Sequence, residues 1–275
     1  GSNWGDFGED DQAGRLNLIT REKVLQGIAE VHEGLSFNLS LPLDVPGGNV
    51  LNPRRHPPVL RPTLRNNKPN LNYALGDDDP NITDIVSDDL VIMHTQYSTQ
   101  WDSLAHVGSQ FDVDGNGTLS AVYYNGYRAG IDVIGPATGD AAGVPASAAM
   151  AQGSTSAAHA LGIEKMAERC VQGRAVMIDL HAHLGNQRVA VDFALLSEIL
   201  QKDQITVEAG DMVCLHTGFA ELLLSMNKQP DEHVLARSCA VLEGRDPRLL
   251  EWISDSGLSV LIADNYAVEG HPASH

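Results

Sequence analysis

The sequence predicts an α/β fold, and three observations carry that reading. Ala175 to Leu180, Met212 to Leu215 and Leu258 to Ala263 are short apolar runs without polar alternation. Such runs suit strands covered on both faces. Amphipathic helical patterns over 192–201, 219–226 and 247–255 alternate with them. Strands alternating with helices imply a sheet between helical layers, and ligands in such sheets gather where strands end.

The elements follow in order. Residues 20–33 read as a helix, with Thr20 as N-cap, Val24, Leu25, Ile28 and Val31 at helical spacing, and Gly34 as a stop. Residues 35–43 alternate apolar and polar, the period of a half-buried strand. Residues 44–82 are rich in Pro, Asn and Gly and read as loop. Leu90 to Met93 reads as a buried strand leading into the chemically loaded stretch 94–106. A Gly/Asn/Tyr-rich loop region runs to about 130, and the Ala/Gly/Ser-rich residues 136–160 take no assignment. Asp192 opens the helix 192–201, and Asp246-Pro247 opens 247–255 as N-cap and first helical residue. The strand at 258–263 ends at Asp264. No internal repeat occurs, and the length suits one large domain or two small ones.

Composition narrows the function. Lys and Arg number 18 against 36 Asp and Glu, a net charge of −18. Nucleic acid and anionic membranes both need a basic footprint, so neither is expected as a partner. With 43% hydrophobic and 20% charged residues, the chain is not a disordered acidic tail. Cys170, Cys214 and Cys239 form no CxxC pair, so neither a disulfide framework nor a thiolate zinc site is indicated. No membrane-length apolar run or secretory pattern appears, and a reducing, cytoplasmic setting is expected. Gly1-Ser2 reads as a tag-cleavage remnant. The 11 histidines are the richest source of chemistry.

Asp102 and His106 are the leading pair. On a helical turn, four-residue spacing places carboxylate and imidazole on one face. That is a unit of general-base catalysis or half a metal site. The plain alternative is a capped turn with a structural histidine. Gln96 and Gln100 add carboxamide oxygens at the same spacing. Ser98 and Ser103 lack a nucleophile elbow, and no phosphate loop or dinucleotide fingerprint is present. Asp112 to Ser120 matches the first nine positions of a calcium loop, but Tyr123 stands where the bidentate Glu belongs. A tight Asx/Gly turn is expected there. His181, His183 and His216 follow strands and read as structural or surface histidines.

The stretch Gln96-x-Ser98-Thr99-Gln100-x-Asp102-x-Leu104-x-His106 resembles the H-x-G-T-H-x-D-x-P-x-H signature of the cyclase, or kynurenine-formamidase-like, hydrolases. Thr99, Asp102 and His106 match it. Gln96 and Gln100 replace both ligand histidines, as in a Thr-Gln-Trp-Asp branch of that family. Trp4-Gly5 with Asp10 to Asn17, Tyr123 to Gly126, Gly173 to Asp179, Gly210 to Val213 with His216 to Phe219, and Ala263 to Glu269 resemble further family segments in order.

The resemblance implies a swivelling β/β/α fold, a homodimer or homotetramer, and a divalent metal ion, zinc or manganese. It implies a hydrolase of an amide, formamide, cyclic imide or lactone in a small-molecule substrate. Gln96, Gln100 and Asp102 fall at metal-ligand positions, and His106 at the proton-transferring one. Carboxamide oxygens are weaker zinc ligands than imidazole and favour oxygen-seeking ions. The resemblance implies a single cyclase-like domain over 1–275 that lacks its C-terminal end, and the family's further His and Glu, which follow the late strand, are not assigned to Glu269, His271 or His275. Thr99 is a candidate substrate and oxyanion donor. Trp4, Trp101, Tyr123 and Tyr124 are candidate pocket walls, with ordinary packing as the alternative. A second hypothesis is a non-catalytic binding or scaffold protein with a degenerate metal site.

Overall fold

The structure, a computed structural model, describes residues 3–136, 154 and 156–270. Gly1-Ser2, most of 136–160, and His271 to His275 lie outside the described residues. The described residues cluster into two compact units. One is drawn from 1–38, 101–221 and 233–275, the other from 39–100 and 222–232. Both helices and strands are present, so the fold is mixed α/β.

The second unit is built on a ribbon. Strand β1 (Val59–Pro62) runs antiparallel to β2 (Asp89–Ile92), with Val59 opposite Ile92 and Pro62 opposite Asp89. The segment 44–82, expected to be loop, therefore contributes strands. It also holds a hairpin in which Leu64–Arg65 pairs with Lys68–Pro69 around Asn66-Asn67. Both asparagines have positive φ (49° and 62°), the conformation that tight hairpin turns require. Pro62 and Pro69 are tolerated because a two-stranded ribbon has open edges. The strand at 90–93 forms, but it is not buried. Val91, Ile92 and Met93 are 49%, 43% and 39% exposed, because a two-stranded ribbon lacks a covering layer.

The first unit opens with helix α1 (Arg21–Ala29), capped by Thr20, whose hydroxyl accepts the Lys23 N–H at 3.3 Å. The helix ends before Gly34, and its buried residue is Lys23 rather than the apolar residues at helical spacing. Residues 35–43 form no strand. Alternation decides which side chains share a face, but a strand also needs a neighbouring backbone to pair with. Strands β3 (Ser109–Phe111) and β4 (Ser120–Val122) make a hairpin, and α2 (Ile163–Arg169) follows.

Strand β5 (Ala175–Asp179), helix α3 (Leu180–Leu184), α4 (Phe193–Lys202), β6 (Met212–His216), α5 (Phe219–Ser225), α6 (Pro247–Asp255) and β7 (Val260–Ala263) complete the frame. The sheet order is β5-β6-β7, all parallel, with Asp179 opposite His216 and Leu215 opposite Ala263. Asp192 and Asp246 cap α4 and α6, accepting N–H groups at 2.9 and 3.0 Å. Ile178, Val213, Leu215, Leu196, Ile199 and Leu249 join one core cluster. Burying each such side chain stabilises by about 1.5–3 kcal/mol. Coverage of both faces holds for central β6 but not for β5, where Met177 is 51% exposed.

A fully buried carboxylate ties this sheet to the N-terminus. Asp211 is 0% exposed, and its oxygens accept Lys23 Nζ at 2.9 Å and Arg174 Nη1 at 2.6 Å. Two glycines allow the approach. A Cβ on Gly27 would lie 2.5 Å from the Gly173 carbonyl carbon, and one on Gly210 would lie 2.4 Å from the Leu18 oxygen. Among the described residues no helix is long and apolar enough to cross a membrane. Asp211→Ala would remove the buried carboxylate, leaving Lys23 to Glu208 and Arg174 to Glu30 at the exposed side of the cluster. It is expected to lower the unfolding free energy by about 1.5–3 kcal/mol, read from urea denaturation midpoints.

Candidate active site

The first unit presents Asp102 and His106 on a loop with no helical turn. The one-face geometry of a helix is therefore not what relates them. Instead the loop turns its middle inward. Ser103, Leu104 and Ala105 are half-buried, whereas Asp102 and His106 are exposed. Leu104 Cδ1 sits 3.3 Å from where a Cβ on Gly14 would lie, beside the Tyr124 ring. Gly14 has φ +57°, so the position suits glycine twice over. The Ala105 N–H donates to the Leu161 carbonyl at 3.2 Å, and the Leu161 N–H in turn donates to Gln12 Oε1 at 3.0 Å.

The platform beneath this loop joins two distant segments. Asp11 Oδ2 accepts the Gly14 N–H at 2.7 Å and the Tyr124 hydroxyl at 3.0 Å, while Oδ1 accepts Asn17 Nδ2 at 2.7 Å. Asn125 answers in reverse. Its amide donates to the Gly8 and Glu9 carbonyls, and its oxygen accepts the Gly5 N–H at 2.8 Å. Burial alone would raise the Asp11 carboxyl, but the hydrogen bonds from Asn17, Gly14, Tyr124 and Ala13 outweigh it and hold the carboxyl below its ordinary value. Burial and then the Asp11 carboxylate push the Tyr124 phenol up. Trp4 packs edge-on to Phe111, ring centroids 5.5 Å apart, and Trp101 is half exposed. Of the expected pocket walls, Tyr124 thus has its hydroxyl engaged in the platform.

The other half of the motif belongs to the second unit. Thr99 Oγ1 accepts the Leu41 N–H at 3.0 Å, and Ser98 donates to the Pro42 carbonyl at 2.9 Å. The Gln96 carbonyl accepts Arg55 Nη1 at 2.7 Å, and Gln100 is exposed. Chemically, Asp102 in the first unit offers an anionic oxygen, and Gln96 and Gln100 in the second are neutral carboxamides. Among the described residues no three His, Cys, Asp or Glu are gathered so as to hold a metal.

A second grouping lies at the carboxyl ends of the sheet. His216 Nδ1 is 2.8 Å from Asp179 Oδ1, and His181 Nε2 is 2.9 Å from Asn186 Oδ1. The two rings stack edge-on at 5.4 Å. Asp179 is a cap as well, accepting the Ala182 N–H at 2.9 Å. Its carboxyl is raised by burial but lowered more by Ala182 and His216. Asp264 accepts the Thr217 N–H and hydroxyl, both at 2.7 Å. Sequence reading located the two histidines but missed Asp179 as the partner of His216. Its position as the last residue of β5 was the available signal. His183 Nε2 lies 2.7 Å from Asp203, away from this group. The calcium-like loop is an Asx turn, with Asp112 accepting the Asn116 and Gly117 N–H groups and Asp114 paired to Arg128 at 2.6 Å.

The family model "Putative cyclase" matches residues 37–270. The chain belongs to the cyclase family. A crystal structure described as that of "a novel cyclase" matches 98% of this chain and 77% of its own, at 25% identity and a TM-score of 0.66. No curated protein matches the chain. The family match includes Gln96 to His106, Tyr124 and Asn125, and the Asp11 side of this cyclase's platform precedes it.

The depressed Asp11 carboxyl makes a pH prediction. Its stabilising share is present above the ordinary carboxyl value near 3.8 and is lost as pH falls through the lower folded value. The stability difference between wild type and Asp11→Asn should be constant above about pH 5 and shrink below about pH 4, measured by urea titration. A constant difference down to pH 2.5 would contradict this.

Proposed function

We propose that this cyclase-family chain is a hydrolase that opens an amide, formamide, cyclic imide or lactone bond in a small molecule. One observation supports the reading above others. The loop carrying Asp102 and His106 buries its middle residues, is held at Leu104 and Ala105, and leaves carboxylate and imidazole exposed. A held loop displaying an acid–base pair suits catalysis better than packing.

In this mechanism His106 accepts the proton of the attacking water at a ring nitrogen and returns it to the leaving group. Asp102, on the same exposed loop, is the carboxylate proposed to work with it. By its place in the motif, Thr99 is the hydroxyl proposed to donate to the developing oxyanion. Trp101 supplies exposed aromatic surface for a substrate, and Trp4 and Tyr124 belong to the wall and platform behind the loop. A manganese or zinc ion held by Gln96, Gln100 and Asp102 would lower the pKa of a bound water. The motif's residue order, not a measured distance, supports that ligand set. The same reading extends to a swivelling β/β/α fold, a homodimer or homotetramer, and a cytoplasmic setting.

A second reading is favoured by the missing trio of His, Cys, Asp or Glu among the described residues. In it the chain binds a small molecule without catalysis. Metal content decides between the two. The hydrolase reading expects about one manganese or zinc per chain by elemental analysis after dialysis, and turnover of formamide, imide or lactone substrates. His106→Ala should then reduce kcat about 10²–10⁴-fold with folding unchanged. Asp102→Asn should lose both metal and activity. Metal-free protein that stays inactive with added manganese would favour the binding protein.

A further inference from the structure

We propose that the cavity between the N-terminal segment and α2 is a binding site for a small zwitterion, a molecule carrying an ammonium group and a carboxylate. The cavity lies within the first unit and spans about 500 Å³, inside the range of small-molecule pockets. Residues 7–13 form one wall, and Lys165, Glu168 and Arg169 of α2 form the other. Neither Asp102 nor His106 lines it, so the site stands or falls apart from the hydrolase reading.

The charges on the two walls select the ligand. Asp11 is already spent on Gly14, Tyr124 and Asn17, and Glu168 is answered by Lys165 Nζ at 3.3 Å. That leaves Glu9 and Asp10 on one wall and Arg169 on the other. Among the described residues none of these three side chains forms a hydrogen bond or ion pair. Opposite charges that line one cavity without pairing stand beyond ion-pair reach, and a molecule charged at each end closes the gap. Arg169 offers a guanidinium fork to a carboxylate. Glu9 and Asp10 offer oxygens to an ammonium, which has three donors and no acceptor. Phe7, half-buried in the same wall, supplies apolar surface for the carbon chain between the charges.

Both walls are fixed before a ligand arrives. The Asn125 amide donates to the Gly8 and Glu9 carbonyls at 2.9 and 2.8 Å, and the Tyr127 hydroxyl donates to the Asp10 carbonyl at 3.1 Å. Glu9 and Asp10 therefore extend from a held backbone. Leu161, buried two residues before α2, ties the walls together, because its N–H donates to Gln12 Oε1 at 3.0 Å. A preformed cavity loses little ordering entropy on binding.

Aminoalkanoates of graded length test this. The probes are 4-aminobutyrate, 6-aminohexanoate and 8-aminooctanoate, titrated calorimetrically into the full chain beside hexylamine and hexanoate, which carry one charge each. At least one zwitterion should bind about tenfold or more tighter than either control. Arg169→Gln should weaken that zwitterion about tenfold, and Arg169→Lys should retain part of the affinity. Glu9→Gln combined with Asp10→Asn should weaken it similarly from the ammonium end. All three residues are exposed, so the melting temperatures of these variants should stay close to that of wild type. Absent binding of all three zwitterions, equally tight binding of hexylamine or hexanoate, or an affinity untouched by Arg169→Gln overturns the proposal.

Discussion

The buried carboxylate of Asp211 is the interaction on which the first unit depends. It sits where β6 begins, and it accepts one cation from α1 and another from the residue before β5. Its own backbone is fastened to the third strand, because Ser259 donates its N–H and hydroxyl to the Asp211 carbonyl at 2.8 and 3.0 Å. Three strands and the N-terminal helix therefore converge on one residue. A buried charge is tolerable only when both its lone pairs and its charge are answered, and here Lys23, Arg174 and the Glu208 N–H answer them. The glycines beside it, Gly27 and Gly210, let backbones approach closely enough for the pairs to form.

From this fixed edge the N-terminal segment continues to the candidate site. Residues preceding α1 are held by Asp11 and Asn125, which stitch the segment 5–17 to the loop 124–125. Leu104 rests on that platform. The family pattern has proline where this chain has Leu104. Proline stiffens a loop by fixing φ, whereas leucine anchors it by packing. The chain thus replaces a conformational restraint with a contact, and the contact works only because Gly14 leaves space for it. The opposite, carboxyl edge of the sheet collects Asp179, His216 and Asp264, but the first and last of these spend oxygens on capping N–H groups. Their commitment to local structure is why the loop at 101–106 is the better candidate.

The second unit contributes a different property, a stretch from 45 to 76 that carries five cations and no carboxylate within an acidic chain. Net charge describes solubility and long-range fields, but not which charges lack carboxylate partners close at hand. Arg55 is such a charge, held at the motif by a main-chain bond rather than by a carboxylate.

The sequence by itself determined the features that rest on neighbours within a turn. Thr20, Asp192 and Asp246 cap the helices they were expected to cap, since a cap is a contact between a side chain and an N–H two or three residues on. The three parallel strands and the Asx turn at 112–117 also follow local pattern, and the order of the motifs carried the family. Tertiary structure alone decided the rest. The ribbon pairing 59–62 with 89–92, the burial of Lys23, and the exposure of Leu25, Ile28 and Phe37 depend on what arrives from far along the chain. So does the Asp11–Tyr124 bond between residues 113 apart. Periodicity can say which side chains point the same way, but only packing supplies the surface they meet, and a polar residue becomes a clamp only once its distant partner is in place.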